Sequence, residues 1–167
     1  VEVRMRKSLQ LQAEMTEEFG ACVFDVTLDC EDGAPVGGEA EHAALVVELA
    51  LGARADARVA VRVHPVDHPA FAQDMAVVAG RAGQRLTHIM IPKVESVADV
   101  ALAEQALQSA GAGHLPLQVL IESLDPDAVR RHDKAHAERG VYARRGKDGM
   151  SFLGLTHQTH VVDAIHA

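Results

Sequence analysis

Short apolar runs alternate along this chain with longer stretches in which apolar positions recur every three or four residues. Four runs predict strands: "ACVFDVTLD" (21–29), "ARVAVRVHP" (57–65), "LTHIMIPK" (86–93) and "LPLQVLIES" (115–123). Each is rich in β-branched residues or Leu and is bounded by Gly, Pro or charge. Between them, "EAEHAALVVELALG" sets Ala40, Ala44, Val47 and Leu51 on one helical face. "AFAQDMAVVAGRAG" and "SVADVALAEQALQSAG" read as helices too. In the latter, Ser96 with Asp99 three residues on predicts an N-cap pair, and Gly111 or Gly113 a stop.

The order is β-α-β-α-β-α-β with a period of roughly 30 residues, the size of a βα unit. Such alternation predicts a parallel sheet, open or closed into a barrel, with helices outside. No G-x-G-x-x-G follows the first strand, so a dinucleotide-binding fold has no support. The expected fold class is α/β, a TIM (β/α)8-type barrel. A full barrel needs about 250 residues, rarely as few as about 200. The 167 residues here hold five or six units at most. The expectation is therefore a single partial barrel domain over residues 1–167.

Composition narrows the picture. The chain is 48% hydrophobic but only 3% aromatic, with no Trp. Its core must be Val, Leu, Ile, Ala and Met, the usual filling of buried parallel strands. A net charge of -8 argues against nucleic acid or an anionic membrane as partner. No apolar run is long enough to span a bilayer, and "VEVRMRKSLQ" lacks the apolar core of a signal peptide. Cys22 and Cys30 share one strand-like run without metal spacing, which predicts reduced thiols in a cytoplasmic protein.

The chemistry gathers where strands stop. The first run ends in "LDCEDGAP", placing Glu31 and Asp32 where a buried strand meets a loop. The second ends "VRVHP", with Arg62 and His64 on the face opposite Val61 and Val63. The third supplies Lys93 and Glu95, and the fourth Glu122. In a barrel the C-terminal strand ends carry the active site. One acid at a strand end usually means a cap or a salt bridge; four charged ends in succession predict a mixed-charge mouth. Carboxylates there suit a hard cation such as Mg2+. An Arg beside them suits a carboxylate or a developing oxyanion.

The runs "FDVTLDCEDGAP", "VAVRVHP", "IMIPKVESVADV" and "LQVLIES" resemble, in order and spacing, the motifs of the citrate lyase beta-subunit-like family, also called the HpcH/HpaI aldolase family. The resemblance covers about residues 20–124. It implies a Mg2+-dependent carbon–carbon lyase of aldol or Claisen type, acting on a citryl-CoA or malyl-CoA type thioester or a related 2-oxo acid. By that analogy Glu122 is a metal ligand. Arg62 contacts the substrate carboxylate or enolate oxygen, with His64 beside it, and Glu31 and Asp32 hold the metal's water shell and neighbouring arginines. Lys93 and Glu95 take supporting places. A homo-oligomer, trimer or hexamer, is expected.

The pattern departs from the family in three places. The second acidic ligand expected after "IES" is missing, a first strand is not evident, and "GLTHQTHVVDAIHA" matches the terminal element only through His157. A segment is therefore expected to be missing near residues 124–134. The alternative reading is a non-catalytic barrel relative acting as a binding or assembly subunit, and a third is thioester hydrolysis at the same site. His132 and His136, four apart, lack the Glu of a metalloprotease helix and read as surface residues. The basic stretch 138–149 reads as a solvated loop or, more sharply, as a contact for CoA phosphates.

Overall fold

The computed structural model describes residues 1–120, 141–145 and 151–155, the last two segments through their backbone. Helix α1 (Glu2–Phe19) leads into strand β1 (Val26–Asp29). Then come α2 (Glu39–Gly52), β2 (Val59–Arg62) and a helical stretch made of α3 (Phe71–Asp74), a π-helical segment (Met75–Ala79) and α4 (Gly80–Ala82). Strand β3 (Leu86–Ile91), α5 (Val97–Ser109) and β4 (Leu117–Val119) follow. Strands β5 (Val141–Arg145) and β6 (Ser151–Leu155) pair with each other, antiparallel.

Strands β1 to β4 are parallel neighbours in chain order, as the βα period predicts. Their alternation assigns two faces. Leu28, Val61, Ile89 and Leu117 stand in one cross-strand row. They belong to the same core cluster as Val46, Val47 and Ala50 of α2, Val78 of the π-helical segment and Val100, Ala103 and Leu107 of α5. The helices thus cover one side of the sheet. The next row is Asp29, Arg62, Met90 and Gln118 on the opposite face, and it carries the chemistry.

Two sequence expectations need correction. The strands are shorter than their apolar runs, and Cys22 lies outside β1. The Gln12 side chain of α1 is buried and donates to the carbonyls of Phe24 (2.7 Å) and Arg58 (2.9 Å). These carbonyls just below β1 and β2 thus have a side-chain partner instead of only a strand neighbour. The buried stripe of α2 is also rotated from the one predicted. Val47 is buried, but Ala40, Ala44 and Leu51 are exposed, while His42, Ala43, Val46, Leu49 and Ala50 face inward. In a helix this rich in Ala and Val several stripes are equally apolar, and the sheet selects among them.

The ends of α5 follow the sequence. Ser96 Oγ accepts from Asp99 N (3.3 Å) and Asp99 Oδ2 accepts from Ser96 N (2.9 Å). This capping box satisfies N–H groups that the helix cannot pair internally and is worth about 1 kcal/mol. Gly111 takes the left-handed conformation that ends the helix (φ 72°). The expected missing segment near 124–134 lies outside the described residues.

His88 of β3 meets Thr87 Oγ1 through Nδ1 (3.1 Å), and its Nε2 is buried without a well-aligned hydrogen bond. Burial holds its pKa below the ordinary histidine value. The unfolded chain takes up this proton near pH 6.5, so stability is full above that pH and is lost as pH falls through it towards the lower folded value. Urea midpoints measured between pH 8 and 5 should fall at the acid end, and His88→Gln should flatten that fall.

Candidate active site

Asp29 ends β1 directly opposite Arg62, which ends β2. The guanidinium forks onto the carboxylate: Nε donates to Oδ1 (2.8 Å) and Nη2 to Oδ2 (2.7 Å). Asp29 Oδ1 also accepts from Glu31 N (3.0 Å), an Asx-type turn. This turn ends the strand and brings the next two acids back over its end. Glu31 Oε2 then lies 2.8 Å from Arg62 Nη1, and Asp32 Oδ2 lies 2.9 Å from Nη2. Two adjacent carboxylates follow a buried strand here because three acids surround one arginine. The pKa of Arg62 is raised, first by the hydrogen bond to Asp29 and further by the neighbouring charges.

The acids differ in setting. The Glu31 side chain is 6% exposed and Asp32 74%. Lys93 Nζ reaches Glu31 Oε1 at 2.6 Å from the end of β3. Glu31 thus sits between two cations, held by charge rather than by well-aligned hydrogen bonds. Burial pushes the thiol of Cys30 well above its ordinary value, so it stays a neutral core residue.

The loop depends on Gly33. A Cβ there would run into the Asp29 carbonyl oxygen and come within 3.0 Å of His42 Nε2, which itself binds that carbonyl at 2.8 Å. Backbone cannot yield as a flexible side chain would. Gly33→Ala should therefore cost roughly 1–3 kcal/mol, the usual range for overpacking, read as a lower denaturation midpoint. The nearby exposed Gly37→Ala, also strained by its positive φ but meeting nothing within 4 Å, should cost less.

His64 is the sequence candidate that takes a different course. Its ring Nδ1 lies 2.6 Å from Asp74 Oδ2, which also accepts the His64 backbone N–H (3.0 Å). The imidazole stacks on His68 at 4.2 Å between centroids. His64 and Asp74 are both buried, so the pair ties the end of β2 to α3. Asp74 was legible only as a lone acid among Phe71, Met75 and Val78 on the inward side of its helix. Asp29 was legible only as a strand-end acid whose partner the sequence does not name. Glu122 lies outside the described residues, as do His132, His136 and His157. A groove of about 390 Å³ between α1 and α2, lined by Leu9, Gln12, Thr16, Leu49, Ala53 and Ala57 among others, includes none of the mouth residues.

Asp29, Glu31 and Asp32 against Arg62 and Lys93 leave the mouth net negative, and its donors are the hard oxygens that Mg2+ prefers. Among the described residues, no three His, Cys, Asp or Glu side chains are grouped to hold a metal. A cation bound here would need a further ligand.

A parallel sheet with helices on one side and charge at the C-terminal strand ends defines part of a TIM-barrel α/β protein. The HpcH/HpaI aldolase/citrate lyase family model matches residues 9–142, and the chain belongs to that family. An L-malyl-CoA/beta-methylmalyl-CoA lyase of Cereibacter sphaeroides is 33% identical over 114 residues, 64% of this chain and 36% of that protein. The crystal structure of a citrate lyase from Burkholderia xenovorans LB400 is 36% identical with a TM-score of 0.64, over 78% of this chain and 40% of that one. A malate synthase of Haloferax volcanii, solved as a magnesium/glyoxylate complex, shares the fold at 21% identity and a TM-score of 0.54, over 75% of this chain and 38% of that one. The chain thus spans well under half the length of these relatives.

Proposed function

We propose that the protein carrying this chain is a Mg2+-dependent carbon–carbon lyase acting on a CoA thioester of the malyl-CoA or citryl-CoA type, or on a related 2-oxo acid. The observation that carries the reading is the Asp29–Arg62–Glu31–Asp32 cluster at the C-terminal ends of β1 and β2. The relatives' activities support the reaction class, and the magnesium of the malate synthase complex supports the metal.

Arg62 is placed to meet the substrate carboxylate or the oxygen that gains charge as the bond breaks. Asp29 fixes the guanidinium plane by its two-point contact, so little orientational entropy is lost on binding. Glu31 and Asp32 balance that charge from the loop. His64, the further substrate contact that the resemblance implies, is buried here against Asp74 and His68, so its part in the proposal is to fix the end of β2 that presents Arg62. Glu122 is the proposed metal ligand; its carboxylate would hold a divalent cation whose charge stabilises the enolate. Two free thiols fit a reducing cytoplasm, and no helix among the described residues is long and apolar enough to cross a membrane. A homo-oligomer belongs to the same proposal.

A panel of CoA thioesters and 2-oxo acids, assayed with Mg2+ and with chelator, tests the reading. Turnover of at least one hydroxyacyl-CoA only with Mg2+ is expected. No turnover of any member would favour a binding or assembly subunit.

A further inference from the structure

Lys93 is, among the described residues, the one non-glycine position with positive φ, at 55°. A side chain in the left-handed region costs about 1–2 kcal/mol relative to ordinary backbone. Glycine would remove the strain, so a lysine there points to a use for its side chain. Its ammonium reaches the buried carboxylate of Glu31 at 2.6 Å, yet the Lys93 side chain remains 56% exposed. The same carboxylate lies 2.8 Å from Arg62 Nη1. One buried acid thus fixes the spacing of two cations from adjacent strands.

Arg62 gives the second reason. Its Nε and one edge of Nη2 are committed to Asp29, and Nη2 also donates to Asp32. The two-pronged face that ordinarily grips a carboxylate is already filled. Nη1 faces Glu31 at 2.8 Å, so an incoming carboxylate would share the Nη1 side with Glu31, the acid that also holds Lys93.

We propose that Lys93 is a second substrate-contacting cation, set across Glu31 from Arg62, and that the two together take a carboxylate such as that of a 2-oxo acid. Glu31 is then a positioning residue for both. The turnover arm of the test rests on the lyase reading; the binding arm does not.

The experiment compares Lys93→Gly, Lys93→Met and Lys93→Arg in the full-length protein. Calorimetry follows oxalate, a carboxylate probe, both with chelator and with Mg2+, the metal-free arm reading the Lys93 contact alone, and kinetics follow the thioester that the wild type cleaves. Both Gly and Met variants should bind oxalate roughly ten- to a hundredfold more weakly, the range for losing a hydrogen bond to a charged group. Arg should recover most of the affinity. KM should rise by more than kcat falls. Lys93→Gly should melt above Lys93→Met, because it loses the strain while losing the same charge. A wild type that binds oxalate through Lys93 but cleaves no thioester would retain this proposal and sink the lyase reading. Wild-type affinity in the Gly and Met variants, or no oxalate binding by the wild type, would overturn the proposal.

Discussion

Replacing Arg62 with Met should lower kcat by at least a hundredfold and also destabilise the fold by about 3 kcal/mol. The first figure is that of a single donor to a developing oxyanion, about 3 kcal/mol of transition-state energy. The second follows from what is left behind. Arg62 is the shared partner of Asp29, Glu31 and Asp32, and the Glu31 side chain is 6% exposed. Breaking a largely buried ion pair from one side leaves a charge without compensation, which typically costs 3–5 kcal/mol. The lower end applies here because Lys93 still faces Glu31 and Asp32 is open to solvent. Arg62→Lys should rescue little, since one ammonium cannot fork onto Asp29 and reach two further acids. Denaturation and steady-state kinetics on the same preparations separate the two effects. A variant with normal stability and normal kcat would remove Arg62 from the centre of the site.

Glu122→Ala should produce the other large effect, loss of Mg2+ affinity by at least a hundredfold together with loss of turnover. The described mouth has three carboxylates but spends them on two cations, so it attracts a divalent ion without offering a set of free ligands. Glu122 lies outside the described residues, and its proposal as the missing ligand rests on the family resemblance of "LQVLIES". Magnesium titration by calorimetry measures the affinity. Arg62→Met should spare it, so the two variants should fail in different ways. If Glu122→Ala binds Mg2+ and turns over as the wild type does, the proposed ligand is wrong.

The sequence carried the order and alternation of the strands more firmly than their partners. Period and alternation placed β1 to β4 in parallel order and set Arg62 opposite Val61 and Val63. Local rules placed Ser96 with Asp99 and offered Gly111 or Gly113 as the stop of α5, of which Gly111 takes the left-handed turn, because caps involve residues three or four apart. Long-range choices were not legible. Nothing near Asp29 says that Arg62, thirty-three residues on, will fork onto it, although register makes the two neighbours once the strands are parallel. The His64–Asp74 pair depends on how a helix returns over a strand end. The stripe of α2 depended on packing, since Ala and Val offer little contrast between faces. Strand ends were not legible either: an apolar run does not say where its ladder stops, and at the start of β1 and β2 a buried glutamine from α1 shares the carbonyls of Phe24 and Arg58.

Which bond breaks separates a carbon–carbon lyase from a thioester hydrolase or a non-catalytic subunit. The most direct measurement is product analysis of a malyl-CoA type thioester incubated with the full-length protein and Mg2+, following acyl-CoA, 2-oxo acid and free thiol in one experiment. Carbon–carbon cleavage predicts a shorter acyl-CoA and a 2-oxo acid in equal amounts, with no free CoA thiol and none of the products after chelation. Free thiol appearing with the intact hydroxy acid, or an unchanged thioester at every Mg2+ concentration, would contradict it.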